Sequence, residues 1–168
     1  MPSRSKASAI TALSAVTEED VLAEFDGVDT EALAYVDGSF NAASGVYGFG
    51  GLLLLRDGSF RELQGNGTDP ELSAMRNVTG EIYGAMAAVR AAEEAGLHSL
   101  TIFYDYKGIE MWARGLWKTN KEGTRAYARF MQEAEPRIHI TFRKVAAHTG
   151  VRFNECVDRI AKNAVSNR

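Results

Sequence analysis

The order of strand-like and helix-like segments after residue 31 constrains the fold of this chain most. Three strand-like stretches follow one another, at residues 33–40, 45–55 and 60–65. Asp57-Gly58, between the last two, is a two-residue hairpin signal. Strands joined by such short connections pair in antiparallel fashion. The first half of the chain therefore predicts three neighbouring antiparallel strands.

The second half alternates between helices and strands. Ile82, Ala85 and Val89 recur at the spacing of one helix face, so we predict a helix over residues 77–95. Strands are predicted at residues 100–104 and 138–145, and further helices at residues 107–114, 124–135 and 153–165. This order predicts an α/β fold with a five-stranded mixed sheet: three antiparallel strands, then two parallel strands, with helices on both faces.

The first 31 residues differ in composition from the rest. The first half of this stretch carries two basic residues and no acid, and the second half carries seven acids and no base. Thr17 and Asp20 have the spacing of a helix start. We therefore predict a tail and linker with a short helix over residues 1–31, and one folded domain over residues 32–168. A chain that begins near Thr30 should keep its activity.

Composition excludes several classes of protein. The chain has 168 residues and one cysteine, Cys156, which excludes an internal disulfide and a cysteine-based zinc cluster and suits the cytoplasm. The longest apolar run, residues 50–55, is too short to span a membrane. The formal net charge is −3, so attraction to nucleic acid has to come from a local patch or from bound metal ions.

Four acidic residues lie where acids are unusual. Asp37 and Asp105 each follow a stretch that is typical of a buried strand, and ligand sites gather at the carboxyl ends of parallel strands. Glu81 lies in the first turn of a predicted helix, and Asp158 borders the core face of the last one. Each has an ordinary explanation when taken singly, as a turn residue, a helix-dipole partner or a solvated acid.

Taken together, the four acids predict a metal site. Four carboxylates at the rim of one sheet would repel one another strongly unless cations neutralised them. Clustered carboxylate oxygens suit Mg²⁺ or Mn²⁺. Two such ions, about 4 Å apart, are a common device for the hydrolysis of phosphodiester bonds. The pattern therefore indicates a metal-dependent nuclease.

The residues around these acids resemble the type 1 ribonuclease H family. The matching motifs are Tyr35-Val36-Asp37-Gly38-Ser39, Asn77-x-x-x-Glu81, Tyr104-Asp105, and His148 placed ten residues before Asp158. The segment of residues 104–110 is similar to the bacterial branch that often carries an N-terminal hybrid-binding module. The resemblance covers residues 32–165.

This resemblance implies a ribonuclease H-like fold and cleavage of the RNA strand of RNA–DNA hybrids, leaving 5′-phosphate and 3′-hydroxyl ends. It also implies two Mg²⁺ ions, for which Mn²⁺ can substitute. Asp37 would bridge both ions, and Asp158 would hold the ion that activates water. Glu81 and Asp105 would serve the other ion. His148 would assist proton movement or product departure rather than bind metal.

Substrate contacts are predicted in two places. The resemblance implies that Asn77 contacts the hybrid near the cut, and the backbone of residues beside Asp37 could approach the RNA sugar, whose 2′-hydroxyl distinguishes RNA from DNA. Those neighbouring residues are Gly38, Ser39 and Phe40.

The second place is the stretch of residues 114–129, which holds five basic residues against one acid. Trp117, Lys118 and Lys121 are predicted to form a surface that follows the phosphates there. A solvated helix face is the alternative explanation for this stretch.

Two other functions remain open from the sequence. Another metal nuclease on the same fold, such as a junction resolvase or a transposase core, would also use clustered acids. A hybrid-binding module without catalysis would keep the fold but has no need for all four acids. The main prediction is a cytoplasmic monomer that acts on RNA–DNA hybrids, with no membrane and no obligatory protein partner.

Overall fold

The central strand of the sheet is β1 (Ala32–Asn41), which pairs with a different kind of neighbour on each side. In this computed structural model, which describes residues 13–145 and 152–166, the other strands are β2 (Val46–Leu55), β3 (Phe60–Gly67), β4 (Ser99–Tyr104) and β5 (His139–Lys144). The strand order is β3-β2-β1-β4-β5. β1, β2 and β3 pair in antiparallel fashion, whereas β1, β4 and β5 pair in parallel. The predicted five-stranded mixed sheet is confirmed.

Six α-helices lie in the described residues: α1 (Glu18–Ala23), α2 (Pro70–Ser73), α3 (Asn77–Glu94), α4 (Gly108–Ala113), α5 (Glu122–Ala134) and α6 (Arg152–Ser166). Five of them were predicted to within a few residues. The short α2 was not predicted, although Asp69 caps it and Pro70 occupies its first turn, which are both signals of a helix start. None of the described helices is both long and apolar enough to cross a membrane.

The helices cover the sheet on both faces and bury a separate apolar cluster on each. The larger cluster joins Ile82 and Val89 of α3 to Ile102 of β4 and Tyr127 of α5. The smaller cluster joins Leu33 and Tyr35 of β1 to Val157 and Phe153 of α6, with Val21 of α1. The predicted helices on both faces are therefore present.

The N-terminal segment packs on the smaller cluster. Thr17 and Asp20 form a capping box, which confirms the predicted helix start. Phe25 is buried, the Arg56 guanidinium lies 4.6 Å from its ring centroid, and the Tyr35 hydroxyl donates a hydrogen bond to Glu24. Part of this segment thus packs against the sheet, because burial of Val21 and Phe25 holds it there. The boundary after residue 31 stays a prediction.

Candidate active site

Asp37 lies where β1 leaves the parallel half of the sheet. β1 pairs with β4 only as far as Tyr35 and Phe103, and it continues beside β2, where Asp37 faces Gly50. Asp37 is therefore part of a strand, so the explanation as a turn residue is excluded. Its Oδ1 accepts a hydrogen bond of 2.9 Å from the Gly38 amide.

Glu81 approaches Asp37 from the face of the sheet that α3 covers. The first turn of α3 contains no acid, because Glu81 lies just beyond it, which weakens the helix-dipole explanation. The residue is 3% exposed. Its Oε2 accepts a hydrogen bond of 3.1 Å from the Gly38 amide, while its Oε1 is buried without a hydrogen-bond partner among the described residues. A buried carboxylate oxygen without a donor is a plausible ligand for a cation.

Asp158 approaches Asp37 from the opposite face, on α6. Its carboxyl lies close enough to that of Asp37 to hydrogen-bond with it when one of the two is protonated. The side chain is 45% exposed, and Lys162 Nζ lies 3.0 Å from its Oδ2. Asp158 is therefore partly neutralised by a flexible lysine, unlike Glu81.

Asp105 follows β4 at the same end of the sheet, but it is not part of the buried group. Its side chain is 79% exposed and lies 4.0 Å from Lys144 Nζ. Its charge still reaches Glu81, whose pKa it raises slightly. The structure thus brings Asp37, Glu81 and Asp158 together and leaves Asp105 at the rim, a difference in burial that the sequence did not predict.

The electrostatics of the site favour a cation. Burial raises the pKa of Glu81 well above its usual range, and the nearby Asp37 charge raises it further. Burial also raises the pKa of Asp37; the Asp158 carboxyl adds to that rise, and the Gly38 amide opposes it. One buried and one partly buried carboxyl, both with raised pKa values and next to a third carboxyl, indicate a site that is stabilised when positive charge enters.

The carboxylate oxygens fit a hard divalent cation, although the described residues form no complete, preformed set of metal ligands. Within residues 13–145 and 152–166, no three acidic, histidine or cysteine side chains already converge on one point that could hold a metal ion. Asp105 and Asp158 pair with lysines and are more exposed than Glu81, so their side chains can rotate towards a cation. The oxygen-only set, in which Glu81 Oε1 has no hydrogen-bond partner among the described residues, suits Mg²⁺ or Mn²⁺.

The residues predicted to contact substrate are placed unequally. Asn77 is the exposed first residue of α3, and Ser39 is half-buried on β1. The Arg76 guanidinium lies over the Phe40 ring, 5.1 Å from its centroid. The amide of Gly38 donates to both Asp37 and Glu81, and the approach of the Gly38 backbone to the RNA stays a prediction. His148 lies outside the described residues.

An aromatic–basic surface, formed by Tyr106, Trp112, Trp117, Lys118 and Lys121, begins directly after Asp105. The ring centroid of Trp117 lies 5.9 Å from that of Trp112 and 6.4 Å from that of Tyr106. Trp117 is 39% exposed, and both lysines are at the surface. A cavity of about 470 Å³ is lined in part by Trp117 and Lys118. Exposed rings beside lysines are suited to stacking and phosphate contact.

Sequence reasoning missed Arg76 and the two lysines that pair with the exposed acids. Arg76 precedes α3 with φ 57°, in a region that residues other than glycine rarely adopt. No local signal in the sequence marks such a residue. Lys162, by contrast, lies four residues after Asp158, and this helical spacing could have indicated the ion pair.

Comparison with known proteins agrees with the resemblance. The family model described as RNase H matches residues 29–166. A ribonuclease H of Jannaschia sp. (strain CCS1) is 30% identical over 148 residues, which cover 79% of this chain and 89% of that protein. A ribonuclease H of Chlorobium luteolum is 28% identical over 145 residues, which cover 80% of this chain and 94% of that protein.

Solved structures have the same fold. The RNase H1 of the archaeon Halobacterium salinarum superposes with a TM-score of 0.67 at 23% identity, covering 82% of this chain and 98% of that one. LC11-RNase H1, solved in complex with an RNA/DNA hybrid, gives a TM-score of 0.61 at 16% identity, covering 80% and 99%. The five-stranded mixed sheet is shared with these proteins.

Proposed function

This chain belongs to the RNase H family, and we propose from this premise that it cleaves the RNA strand of RNA–DNA hybrids. It is a hydrolase of the ribonuclease H type. We propose further that it uses two Mg²⁺ ions, for which Mn²⁺ can substitute, and that it leaves 5′-phosphate and 3′-hydroxyl ends. The proposed ligands are Asp37, Glu81, Asp105 and Asp158.

The observation that carries this proposal is the meeting of carboxyls from three separate elements. Asp37, Glu81 and Asp158 come from β1, α3 and α6; Glu81 is buried, and Asp37 is partly buried. A fold gains nothing in stability from such a group without counter-charge, because like charges in a partly dry site destabilise each other. Binding of divalent cations would offset this repulsion and would explain why the three carboxyls lie together.

The side chains have different proposed tasks. Bound divalent cations supply an activated water and stabilise the leaving oxygen of the phosphodiester. Asp37, which lies against both Glu81 and Asp158, would contribute to holding both cations. The Gly38 amide orients Asp37 and Glu81 at once. Asp158 would exchange Lys162 for a cation, and Asp105 would exchange Lys144 in the same way.

His148 has a separate proposed task. It lies between β5 and α6 in the sequence, ten residues before Asp158. We propose that it moves a proton or aids departure of the product, and that it does not bind metal. His148→Ala should then slow turnover less than loss of any of the acids does.

The aromatic–basic surface is the proposed path of one nucleic-acid strand. It adjoins Asp105 through Tyr106, the next residue, so a strand that stacks on Trp117 would be led towards the acids. Lys118 and Lys121 would contact phosphates. Asn77 and Ser39 are the proposed contacts next to the cut, and Phe40 is a further one that must share its ring with Arg76.

The deciding experiment compares substrates. Purified protein with Mg²⁺ is incubated with a labelled RNA–DNA hybrid, with the duplex DNA and single-stranded RNA of the same sequence as controls. We expect cleavage of the hybrid alone, within its RNA strand. Mapping of the ends tests the 5′-phosphate and 3′-hydroxyl products.

Each other outcome points to a different function. Cleavage of duplex or branched DNA would indicate a resolvase-like or transposase-like nuclease. Binding of the hybrid without cleavage in either Mg²⁺ or Mn²⁺ would indicate a non-catalytic module. We also propose a cytoplasmic monomer without an obligatory protein partner, which light scattering of the purified chain tests in part.

A further inference from the structure

α3 approaches the sheet through backbone contact at Gly80. A Cβ atom built on Gly80 would overlap the carbonyl oxygen of Gly48 and would lie 3.0 Å from the Cα of Gly38. Separations below 3.0 Å are essentially never seen for real Cβ atoms. Because the obstacle is backbone and not the end of a side chain, it cannot rotate away. The start of α3 can therefore lie at this depth only with glycine at residue 80.

This contact bears directly on Glu81, the next residue. Glu81 Oε2 accepts its hydrogen bond from the Gly38 amide at 3.1 Å, near the long end of the normal range. An outward movement of the helix large enough to admit a Cβ at Gly80 would break this bond. It would also carry the carboxyl away from Asp37.

α6 makes a matching contact from the opposite face, at Gly50. A Cβ atom on Gly50 would lie 2.6 Å from the carbonyl oxygen of Val157 and 2.5 Å from the amide nitrogen of Ala161. Val157 immediately precedes Asp158, and Gly50 lies opposite Asp37 in the β1–β2 pairing. α6, which carries Asp158, thus packs directly on Gly50, the residue that pairs with Asp37.

We propose that Gly80 and Gly50 are positioning residues that set the depth of α3 and α6, and thereby hold Glu81 and Asp158 at the distance from Asp37 that shared cation binding needs. The inference rests on the proposed function, since it assumes that these acids bind divalent cations. Neither glycine has a positive φ, so backbone conformation does not require glycine at these positions. The proposal explains both glycines by the close approach of a helix to the sheet.

The chain supplies a matched control in Gly84, one helical turn after Gly80. A Cβ atom there would lie 3.3 Å from Val36 Cβ and 3.4 Å from Phe49 Cβ. These separations are only a few tenths of an ångström tighter than ordinary contact, so the new methyl group needs a far smaller shift than a Cβ at Gly80 does. Gly84→Ala therefore adds the same atom to the same helix without lifting its first turn.

The test measures cation binding apart from catalysis. Mn²⁺ alone is titrated into the full chain and into Gly80→Ala, Gly50→Ala and Gly84→Ala, with free Mn²⁺ followed by electron paramagnetic resonance. We expect about tenfold weaker Mn²⁺ binding and on the order of 100-fold slower hybrid cleavage for the first two variants. Gly84→Ala should stay within about twofold of the parent chain in both measurements.

A double variant separates positioning from a general packing defect. If Gly80 acts through Glu81, then Gly80→Ala should weaken Mn²⁺ binding no further in a Glu81→Gln background. A full additional loss of affinity there would overturn the proposal, as would parent-like Mn²⁺ binding by folded Gly80→Ala and Gly50→Ala.

Circular dichroism decides the cases in which a variant does not fold. If Gly80→Ala is unfolded, Gly50→Ala decides the proposal; if both are unfolded, the two glycines are only structural and the proposal is wrong. A parent chain that binds Mn²⁺ but cuts no hybrid would refute the proposed function instead. The comparison of Mn²⁺ affinities would still test the role of the glycines.

Discussion

The two faces of the sheet each supply a carboxylate to the site, and they hold it differently. On the α3 face, Glu81 is buried, accepts one amide hydrogen bond, and keeps one oxygen without a partner among the described residues. On the α6 face, Asp158 is about half exposed and pairs with Lys162. On the α3 face, burial therefore disfavours the ionised form of Glu81. On the α6 face, Asp158 is exposed enough to exchange Lys162 for another partner.

The apolar clusters that support the two acids also differ, and the cluster on the α3 face is the larger. The α3 face is closed by α3, α4 and α5, which come from within residues 77–134. The α6 face has a smaller cluster that is completed by Val21 and Phe25, from the N-terminal segment. The difference teaches that the α3 face is completed within residues that the family model matches, whereas the α6 face also draws on a segment before residue 29, where that match begins.

Asp37→Asn should have the largest effect, because Asp37 lies between the two faces and serves both. Removing one negative charge and one cation ligand should lower hybrid cleavage by on the order of 1,000-fold or more. The fold should survive, since the amide relieves repulsion within the cluster. A single-turnover assay beside a melting curve checks both points.

Asp57→Asn is the matched control, because Asp57 lies in the exposed β2–β3 turn, far along the strand from the acids. It should cleave like the parent chain. Near-normal cleavage by Asp37→Asn would refute the proposed metal site. Loss of cleavage together with loss of folding would assign Asp37 a structural role.

Removal of the N-terminal segment should weaken the α6 face alone. A chain that begins at Thr30 loses the buried side chains of Val21 and Phe25, which together are worth about 3–5 kcal/mol. We expect the free energy of unfolding to fall by this order in a denaturant titration, while cleavage per folded molecule persists, since none of the proposed ligands is removed. A chain that begins at Leu13 is the control and should match the parent. Equal stability of both truncated chains would restore the linker interpretation.

The pH dependence of the free energy of unfolding should reflect the titration of Glu81 on the α3 face and of its neighbour Asp37. Burial raises the pKa of Glu81 and of Asp37, so between the ordinary carboxyl pKa of about 4 and these raised values the folded chain binds more protons than the unfolded one. Without metal, the free energy of unfolding should therefore fall as pH rises, by several kcal/mol from about pH 5 to about pH 8. Urea titrations at the two pH values measure this.

Glu81→Gln should flatten the pH profile, because it removes the more buried of the two groups. Glu122→Gln, which changes an exposed acid on α5 in the same way, should leave the profile unchanged. A parent profile that rises with pH would show that the acids are compensated in the free protein.

The smallest expected effect concerns the aromatic–basic surface beyond the α3 face. Neutralising Lys118 and Lys121 should reduce the slope of log hybrid affinity against log salt by about 2, or about 1 for each phosphate that is no longer bound by a lysine. Arg61→Gln, on the far edge strand β3, should leave the slope as it is. Fluorescence anisotropy with labelled hybrid in Ca²⁺, over a series of salt concentrations, checks this. An unchanged slope would favour the solvated helix face.

Local pattern determined most of the architecture of this protein. Alternation and hairpin signals predicted the first three strands, and helical periodicity around Ile82 predicted α3, because these features depend on residues close in sequence. The placement of the four acids at the ends of elements indicated a metal site, and the resemblance added their roles. The α2 helix was missed because four residues carry too little periodicity, even with Asp69 as its cap.

Tertiary structure alone decided how the acids differ. The sequence treats Glu81 and Asp105 alike, as acids near the ends of elements, yet one is buried against Gly38 and the other faces water beside Lys144. Exposure and pKa depend on what other elements bring near a group, and those partners lie far away in sequence. For the same reason, the packing of Phe25 under Arg56 and the seating of Gly80 on Gly48 emerge only when the chain has folded.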